Sequence, residues 1–127
     1  MKYLLIILIT LLTLSCSLDR TNPLDPEVSN IHAPLKVYGI TVTVTANNTT
    51  QISWSAMINI DGYYIYKSQS YNGYYKMIKD ESDITADLYE DTDVDIPGSF
   101  YWYKMSAYVI VNGEKLEGYR SEPKTWN

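Results

Sequence analysis

Hydrophobic and polar positions divide the chain into three stretches. Residues 4–12 form an apolar run behind the charged Lys2, and this run is shorter than the roughly 18 residues that a membrane-spanning helix needs. Residues 17–34 contain three prolines and neither a strand period nor a helix period, which predicts an extended tether. From residue 35 onward, β-branched and aromatic residues alternate with polar ones, which indicates β-strands.

The third stretch predicts seven short strands separated by turn-forming residues. Their predicted ranges are 37–45, 51–55, 62–68, 74–78, 85–89, 99–111 and 117–126. Asn47-Asn48, Asn72-Gly73 and Asn112-Gly113 provide turns, and the last of these is typical of a β-hairpin. Strands at this spacing, without any helical period, predict a β-sandwich.

A lone cysteine ends the N-terminal leader. The segment Leu12-Thr13-Leu14-Ser15-Cys16 resembles the lipobox of bacterial lipoproteins. The resemblance implies that residues 1–15 are a cleaved lipoprotein signal peptide, that Cys16 carries acyl chains such as palmitate, and that residues 16–34 tether the domain to the membrane. Ser17 is not the Asp that retains enterobacterial lipoproteins at the inner membrane, so the resemblance implies the outer membrane of a bacterial cell envelope.

Composition narrows the possible partners and stabilising bonds. The formal net charge is −5, and this acidic excess argues against nucleic acid as a partner. Acylation would consume the single cysteine, so no disulfide is predicted. Residues 35–127, which suit one domain in length, must therefore be stabilised by an apolar core.

Several motifs occur in the order typical of one domain family. They are Ile52-Ser53-Trp54, Asp61-Gly62-Tyr63-Tyr64-Ile65-Tyr66, Tyr89-Glu90-Asp91-Thr92, Pro97-Gly98-Ser99-Phe100-Tyr101-Trp102-Tyr103 and Arg120-Ser121-Glu122-Pro123. Residues 35–127 thereby resemble a fibronectin type III domain. The resemblance implies an all-β, immunoglobulin-like fold of seven strands in an antiparallel sandwich, with a tyrosine corner at Tyr101 whose hydroxyl bonds to backbone near the loop that starts its strand. Together with strand alternation, it predicts a core that includes Ile52, Trp54, Tyr63, Ile65, Tyr103 and Met105.

The sequence lacks the usual groups of nucleophilic catalysis. The single histidine, His32, lies in the tether, Cys16 is assigned to lipid, and no serine has the context of a nucleophile elbow. We therefore predict that the protein is not an enzyme and uses no cofactor.

Acidic residues accumulate between residues 80 and 95. Asp91, Asp93 and Asp95 present carboxylates at alternate positions, as calcium-binding loops do. The pattern then fails, because Ile96 stands where the loop needs Gly and Trp102 stands where it needs Glu. A solvated acidic edge is the favoured interpretation, and no metal site is predicted.

The chain is rich in aromatic residues, with 13 Tyr, 3 Trp and 1 Phe. Alternation in the longest predicted strand turns Tyr101, Tyr103, Met105 and Ala107 inward and the intervening residues outward. The predicted exposed aromatic surface consists of Tyr64, Tyr66, Phe100, Trp102 and Tyr108. The loop residues Tyr71, Asn72 and Tyr74 are further contact candidates. A Tyr-rich strand face that only stabilises the sheet is the alternative.

These observations predict a non-enzymatic, lipid-anchored envelope protein that makes protein contacts through its sandwich. The partner would be another envelope component or a host protein. The alternatives are a surface adhesin or glycan-binding module that stacks sugars on the aromatic surface, and an accessory subunit of an enzyme or assembly.

Overall fold

The computed structural model describes residues 31–45, 49–94 and 100–126. Its strands are β1 (Thr41–Val44), β2 (Thr50–Ser53), β3 (Gly62–Ser68), β4 (Lys76–Glu81), β5 (Leu88–Asp91), β6 (Trp102–Val111) and β7 (Glu114–Glu117). The described residues contain no helix, and hence none long and apolar enough to cross a membrane. The predicted signal peptide, Cys16, the Asn47-Asn48 turn and Asp95 lie outside the described residues.

The strands form two antiparallel sheets, as the sequence predicts. One sheet has the order β1-β2-β5, and the other has the order β4-β3-β6-β7. Both sheets contribute side chains to a single core, which confirms the all-β, seven-stranded antiparallel sandwich. The chain crosses from one sheet to the other at the connections from β2 to β3, from β4 to β5 and from β5 to β6.

The core follows the alternation of the strands. Every predicted core residue is buried, including Ile52 from one sheet and Met105 from the other, both fully inaccessible to solvent. Trp54 and Tyr63 pack with ring centroids 5.4 Å apart, and the Tyr63 hydroxyl accepts a hydrogen bond of 2.8 Å from the Met57 backbone. The tyrosine therefore buries its ring while its oxygen keeps a polar partner.

Several strand boundaries differ from the prediction, and two of these differences have identifiable reasons. The first strand begins at Thr41 rather than at residue 37, because Gly39 adopts a left-handed backbone with φ of 68°. The last strand begins at Glu114 rather than at residue 117. Asn112 and Gly113 both have positive φ, so the hairpin closes in two residues and Glu114 pairs directly with Val111.

Beyond β7 the chain stays alongside β6. The Ser121 backbone amide donates to the Met105 carbonyl at 2.7 Å, and Lys124 forms an isolated bridge with Tyr103. The predicted strand over 117–126 is thus replaced by a short β7 and a later single bridge. This course brings the side chains of residues 117–126 next to β6.

A buried ion pair joins the two sheets. The Lys67 ammonium of β3 lies 2.8 Å from the Asp91 carboxylate of β5, and both side chains are largely inaccessible to solvent. The Tyr103 hydroxyl of β6 donates to the same carboxylate at 2.8 Å. Strands from both sheets therefore meet at one buried carboxylate.

Candidate binding surface

The outer face of the four-stranded sheet carries the tyrosines predicted to form an exposed surface. Tyr64 and Tyr66 of β3 pair with Ser106 and Lys104 of β6, so they lie on the face opposite to the core. However, Tyr66 is only 5% exposed and Tyr108 only 1%. The prediction that these two side chains are exposed is wrong, because other side chains of the same chain cover them.

Tyr66 is covered by residues at and beyond the end of β7. Its hydroxyl donates to the Glu117 carboxylate at 2.7 Å, and the Arg120 guanidinium lies 3.9 Å from the centre of its ring. Ser106 donates to the same Glu117 oxygen at 2.7 Å. Burial, followed by the hydrogen bond to Glu117, raises the pKa of Tyr66 to about 12.

Tyr108 is covered by neighbouring side chains in a similar way. Its ring lies 4.8 Å from the Tyr64 ring, and the Lys115 ammonium lies 4.2 Å from its centre. Its hydroxyl donates to Asp80 at 3.0 Å, and Asp80 also pairs with Lys115. Cations lie over the rings of Tyr64, Tyr66 and Tyr108, and the hydroxyls of Tyr66 and Tyr108 are hydrogen-bonded, so the three residues form a stabilising layer of the sheet. For these three residues, a strand face that only stabilises the sheet is therefore favoured over a binding surface.

Phe100 and Trp102 contact different rings. Half-buried Trp102 packs edge-on against Tyr71, with centroids 5.0 Å apart. Phe100 precedes β6, so strand alternation does not fix its direction, and it stacks on Trp126 at 5.1 Å. Trp126 in turn packs against the core. The five predicted residues therefore do not form one continuous surface.

Five exposed or half-buried aromatic residues collect at one end of the sandwich, and the exposed Tyr38 and Tyr119 are not among them. Trp102 at the start of β6 pairs with Ser68 at the end of β3, and the loop between β3 and β4 follows directly. The Thr125 hydroxyl donates to the Tyr101 carbonyl at 2.8 Å, which places Thr125 and the adjacent Trp126 at the same end. We call the following set the aromatic end: Tyr71, Tyr74, Phe100, Trp102 and Trp126.

The loop between β3 and β4 is held in shape by its own hydrogen bonds. The Gly73 amide donates to the Ser70 carbonyl at 3.1 Å, and the Tyr75 hydroxyl donates to the Tyr71 carbonyl at 2.8 Å. A Cβ at Gly73 would lie 2.4 Å from the Ser70 hydroxyl oxygen, so a larger residue here would displace the Ser70 side chain. Tyr71 and Tyr74 are thus presented on an ordered turn.

A shallow groove of about 560 Å³ borders this loop. Its walls combine the Tyr74 and Tyr101 rings with polar groups from Gln69, Ser70 and Lys76. Tyr74 is 87% exposed, the highest value among the large hydrophobic side chains of the described residues. Tyr71 and Tyr74 were predicted from their loop position, whereas Trp126 was missed because its neighbours depend on the bridge between Tyr103 and Lys124.

The acidic residues that the structure describes do not gather into a cation site. Asp91 is buried, and its oxygens are occupied by Lys67, by the Tyr103 hydroxyl and by the Asp93 amide at 3.1 Å. An ammonium already in this position leaves the carboxylate unsuitable for calcium. In the described part of the chain, no three acidic, histidine or cysteine side chains are placed to hold a metal ion.

Tyr101 is buried, and the Lys67 ammonium lies 4.1 Å from the centre of its ring. The loop just before it includes residues 95–99, which lie outside the described residues. The bond of a tyrosine corner to that loop therefore stays a prediction.

No family model and no curated protein matches the sequence. Among solved structures, the chain is similar to a Fn3-like protein from Clostridium thermocellum, at 28% identity and a TM-score of 0.62. The match covers 76% of this chain and 94% of that one. With the sheet order described above, this similarity defines an Fn3-like sandwich.

Two more distant similarities were found. Pectate lyase Pel3 from Pectobacterium carotovorum is 19% identical with a TM-score of 0.49, and the match covers 71% of this chain and 25% of that chain. An FN3 domain of human collagen XX is 20% identical with a TM-score of 0.45, with coverage of 75% and 99%.

Proposed function

We propose that this protein is a non-enzymatic, lipid-anchored component of the bacterial cell envelope whose Fn3-like sandwich binds another protein through the aromatic end. One observation carries the proposal: large aromatic side chains remain exposed at one end, although Tyr66 and Tyr108 of the neighbouring sheet face are covered. Tyr71 is 50% exposed, Tyr74 87% and Phe100 58%. Aromatic residues are enriched in protein interfaces, and leaving several of them in water at one place is unfavourable.

The ordered loop supports the same proposal. A partner that binds Tyr71 and Tyr74 would not have to immobilise a flexible segment, because the turn is already fixed by hydrogen bonds. Preorganisation of this kind lowers the entropic cost of association. Polar groups of Gln69, Ser70 and Lys76 around the groove would form the rim of the interface.

The lipid anchor is the second part of the proposal. Cys16, the only cysteine, follows a short apolar run with the lipobox pattern, and acylation would place the protein in the outer membrane. Metabolic labelling with a palmitate analogue should label the protein, and Cys16→Ser should abolish both the label and the membrane association. Labelling that persists in the variant would refute the assignment of Cys16.

Site-specific photocrosslinking in cells tests the binding surface. A photoreactive aromatic residue in place of Tyr74 should give a discrete heavier adduct. The same residue in place of Tyr119, which is 71% exposed but is not part of the aromatic end, serves as the matched control. Adducts of equal yield at both positions, or none at Tyr74, would contradict the proposal.

Protease treatment of intact cells then identifies the compartment of the partner. Digestion of residues 35–127 on intact cells would indicate an external face and a host protein as partner. Protection until lysis would indicate the periplasmic face and an envelope partner. Lysed cells control for the intrinsic susceptibility of the sandwich to the protease.

Glycan binding is a second candidate, favoured by one observation. Tyr74 presents an exposed ring beside the groove, next to the polar groups of Gln69 and Ser70 that could bond to sugar hydroxyls. This arrangement would suit a surface adhesin or glycan-binding module. Binding to isolated peptidoglycan or to an immobilised glycan panel, lost in Tyr74→Ser and kept in Tyr119→Ser, would replace the protein partner by a sugar.

A further inference from the structure

We infer that β1, which is an edge strand among the described residues, pairs with β1 of a second copy of this chain and joins two three-stranded sheets into one continuous sheet. The starting observation is the contrast among the edge strands of the described residues. The strands β1, β5, β4 and β7 lie at the edges of the two sheets. Three of them carry at least two charged residues each, but β1, with the sequence Thr-Val-Thr-Val, carries none.

Charges on edge strands are a common means of preventing association through the sheet edge. Here the uncharged stretch is longer than the strand, because residues 37–60 contain no Asp, Glu, Lys or Arg. Two copies of a chain with net charge −5 repel each other over most of their surfaces. Approach through β1 brings together uncharged segments and avoids this repulsion locally.

The backbone of β1 has hydrogen-bonding groups on the side that faces away from β2. The Thr45 amide donates to the Thr49 carbonyl at 2.8 Å, next to the paired Val44 and Thr50. Hydrogen-bonded pairs alternate in an antiparallel ladder, so Thr41 and Thr43 also bond to β2. The amides and carbonyls of Val42 and Val44 therefore point away from β2, to the edge of the sheet.

The side chains restrict the register of the pairing. Thr41 and Thr43 are exposed on the outer face, whereas Val42 is buried on the core side. Residues directly opposite each other in a sheet share a face. An antiparallel pair with its two-fold axis at Thr43 satisfies this rule, since it places Val42 opposite the second copy's Val44 and Thr43 opposite its own equivalent.

This register also uses the available groups completely. Val42 and Val44 of each copy would form hydrogen-bonded pairs, and the two Thr43 residues would form the non-hydrogen-bonded pair between them. Val44, which is 46% exposed, would pack against Val42 of the second copy. Pairing centred between two residues is excluded, because it would set a buried valine opposite an exposed threonine.

Disulfide trapping of the full-length chain in its native membranes tests the register. The Cα atoms of the two Thr43 residues would be roughly 4.5 Å apart. Thr43→Cys should therefore give a dimer on mild oxidation, and mass spectrometry should identify a peptide pair linked by a disulfide between the two copies of position 43. Thr41→Cys, on the same face of the same strand, is the matched control, since its equivalents would be about 14 Å apart and a disulfide needs less than about 7 Å.

A second variant tests the association without a covalent bond. Thr43→Lys places two ammonium groups opposite each other and should convert a dimer into a monomer in sedimentation of the detergent-solubilised chain, while Thr43→Ser should remain dimeric. A wild-type monomer at every concentration would overturn the inference. Equal trapping at positions 41 and 43, or a trapped species containing a different protein, would also overturn it. These outcomes are independent of the aromatic end.

Discussion

Asp91 is the residue whose neighbours most clearly connect the two sheets. The Asp91 side chain is 3% exposed. Its carboxylate forms an ion pair with the Lys67 ammonium and accepts a hydrogen bond from the Tyr103 hydroxyl, both at 2.8 Å. A buried pair of this kind adds little compared with apolar packing, but the loss of one partner leaves the other charge buried without compensation. The sequence showed Asp91 only as one acid among several.

We expect Asp91→Asn to lower the free energy of unfolding by about 3 kcal/mol, because the Lys67 ammonium stays buried while its counter-charge is removed. Urea unfolding followed by circular dichroism measures the change. Asp93→Asn is the control, since Asp93 is exposed and Lys67 bonds to its backbone carbonyl rather than to its carboxylate. Equal midpoints for the two variants would contradict a structural role of the ion pair.

Tyr66 gives a prediction for alkaline pH. Burial and the hydrogen bond to Glu117 raise the pKa of Tyr66 from 10.0 to about 12, so the unfolded chain loses this proton at lower pH than the folded chain. The contribution of this pKa difference to the free energy of unfolding is fully present below pH 10 and is lost as the pH rises through about 12. Part of the alkaline decrease in stability should therefore depend on this hydroxyl.

Urea midpoints of the wild type and Tyr66→Phe, measured at neutral pH and above pH 10, isolate this contribution. The variant should be less stable at neutral pH, because Glu117 loses one donor, and its stability should fall less steeply with alkaline pH. Tyr74→Phe, which changes an exposed side chain, should follow the wild type. Parallel curves for the wild type and Tyr66→Phe would refute the assignment.

At the scale of elements, turn chemistry decided how accurate the sequence prediction was. The predicted strand 62–68 coincides with β3, because the turn-forming Asp61 precedes it and a Gly-containing loop follows it. The boundaries of β1 and β7 depended instead on backbone dihedral angles at Gly39 and at Asn112-Gly113. The alternation pattern carries no information about those angles.

The turn between β6 and β7 leads to a prediction about stability. Gly113 has a φ of 85°, a conformation that costs other residues about 1 to 2 kcal/mol, and no atom would contact an added Cβ. Gly113→Ala should therefore lower the free energy of unfolding by about 1 kcal/mol through backbone strain alone. Asn112→Gly, at a φ of 52°, should change it by less than about 0.5 kcal/mol. Thermal unfolding measures both, and an unchanged Gly113→Ala would contradict the expected strain.

At the scale of the whole molecule, one core serves both sheets. Val42 and Ile52 of one sheet and Ile65 and Met105 of the other belong to the same cluster of buried side chains. The chain has only one cysteine, so no intramolecular disulfide supports this core. The two sheets are expected to lose their structure together.

We expect a single unfolding transition with the same midpoint by far-ultraviolet circular dichroism and by tryptophan fluorescence, to which buried Trp54 contributes together with Trp102 and Trp126. A reducing agent should leave the midpoint unchanged. Separate midpoints for the two probes, or a shift on reduction, would show that the sheets are not one cooperative unit.

The sequence alone determined the fold class, the core and the position of β3, because strand alternation and turn residues are local properties of the chain. It also predicted Tyr71 and Tyr74 as contact candidates. Only the tertiary structure decided which outward aromatic residues stay exposed, since Tyr66 and Tyr108 are covered by Glu117, Arg120 and Lys115, whose positions depend on the course of the chain from β7 onward. The alternation of a strand specifies the face of each residue, but long-range packing specifies whether that face is open to solvent.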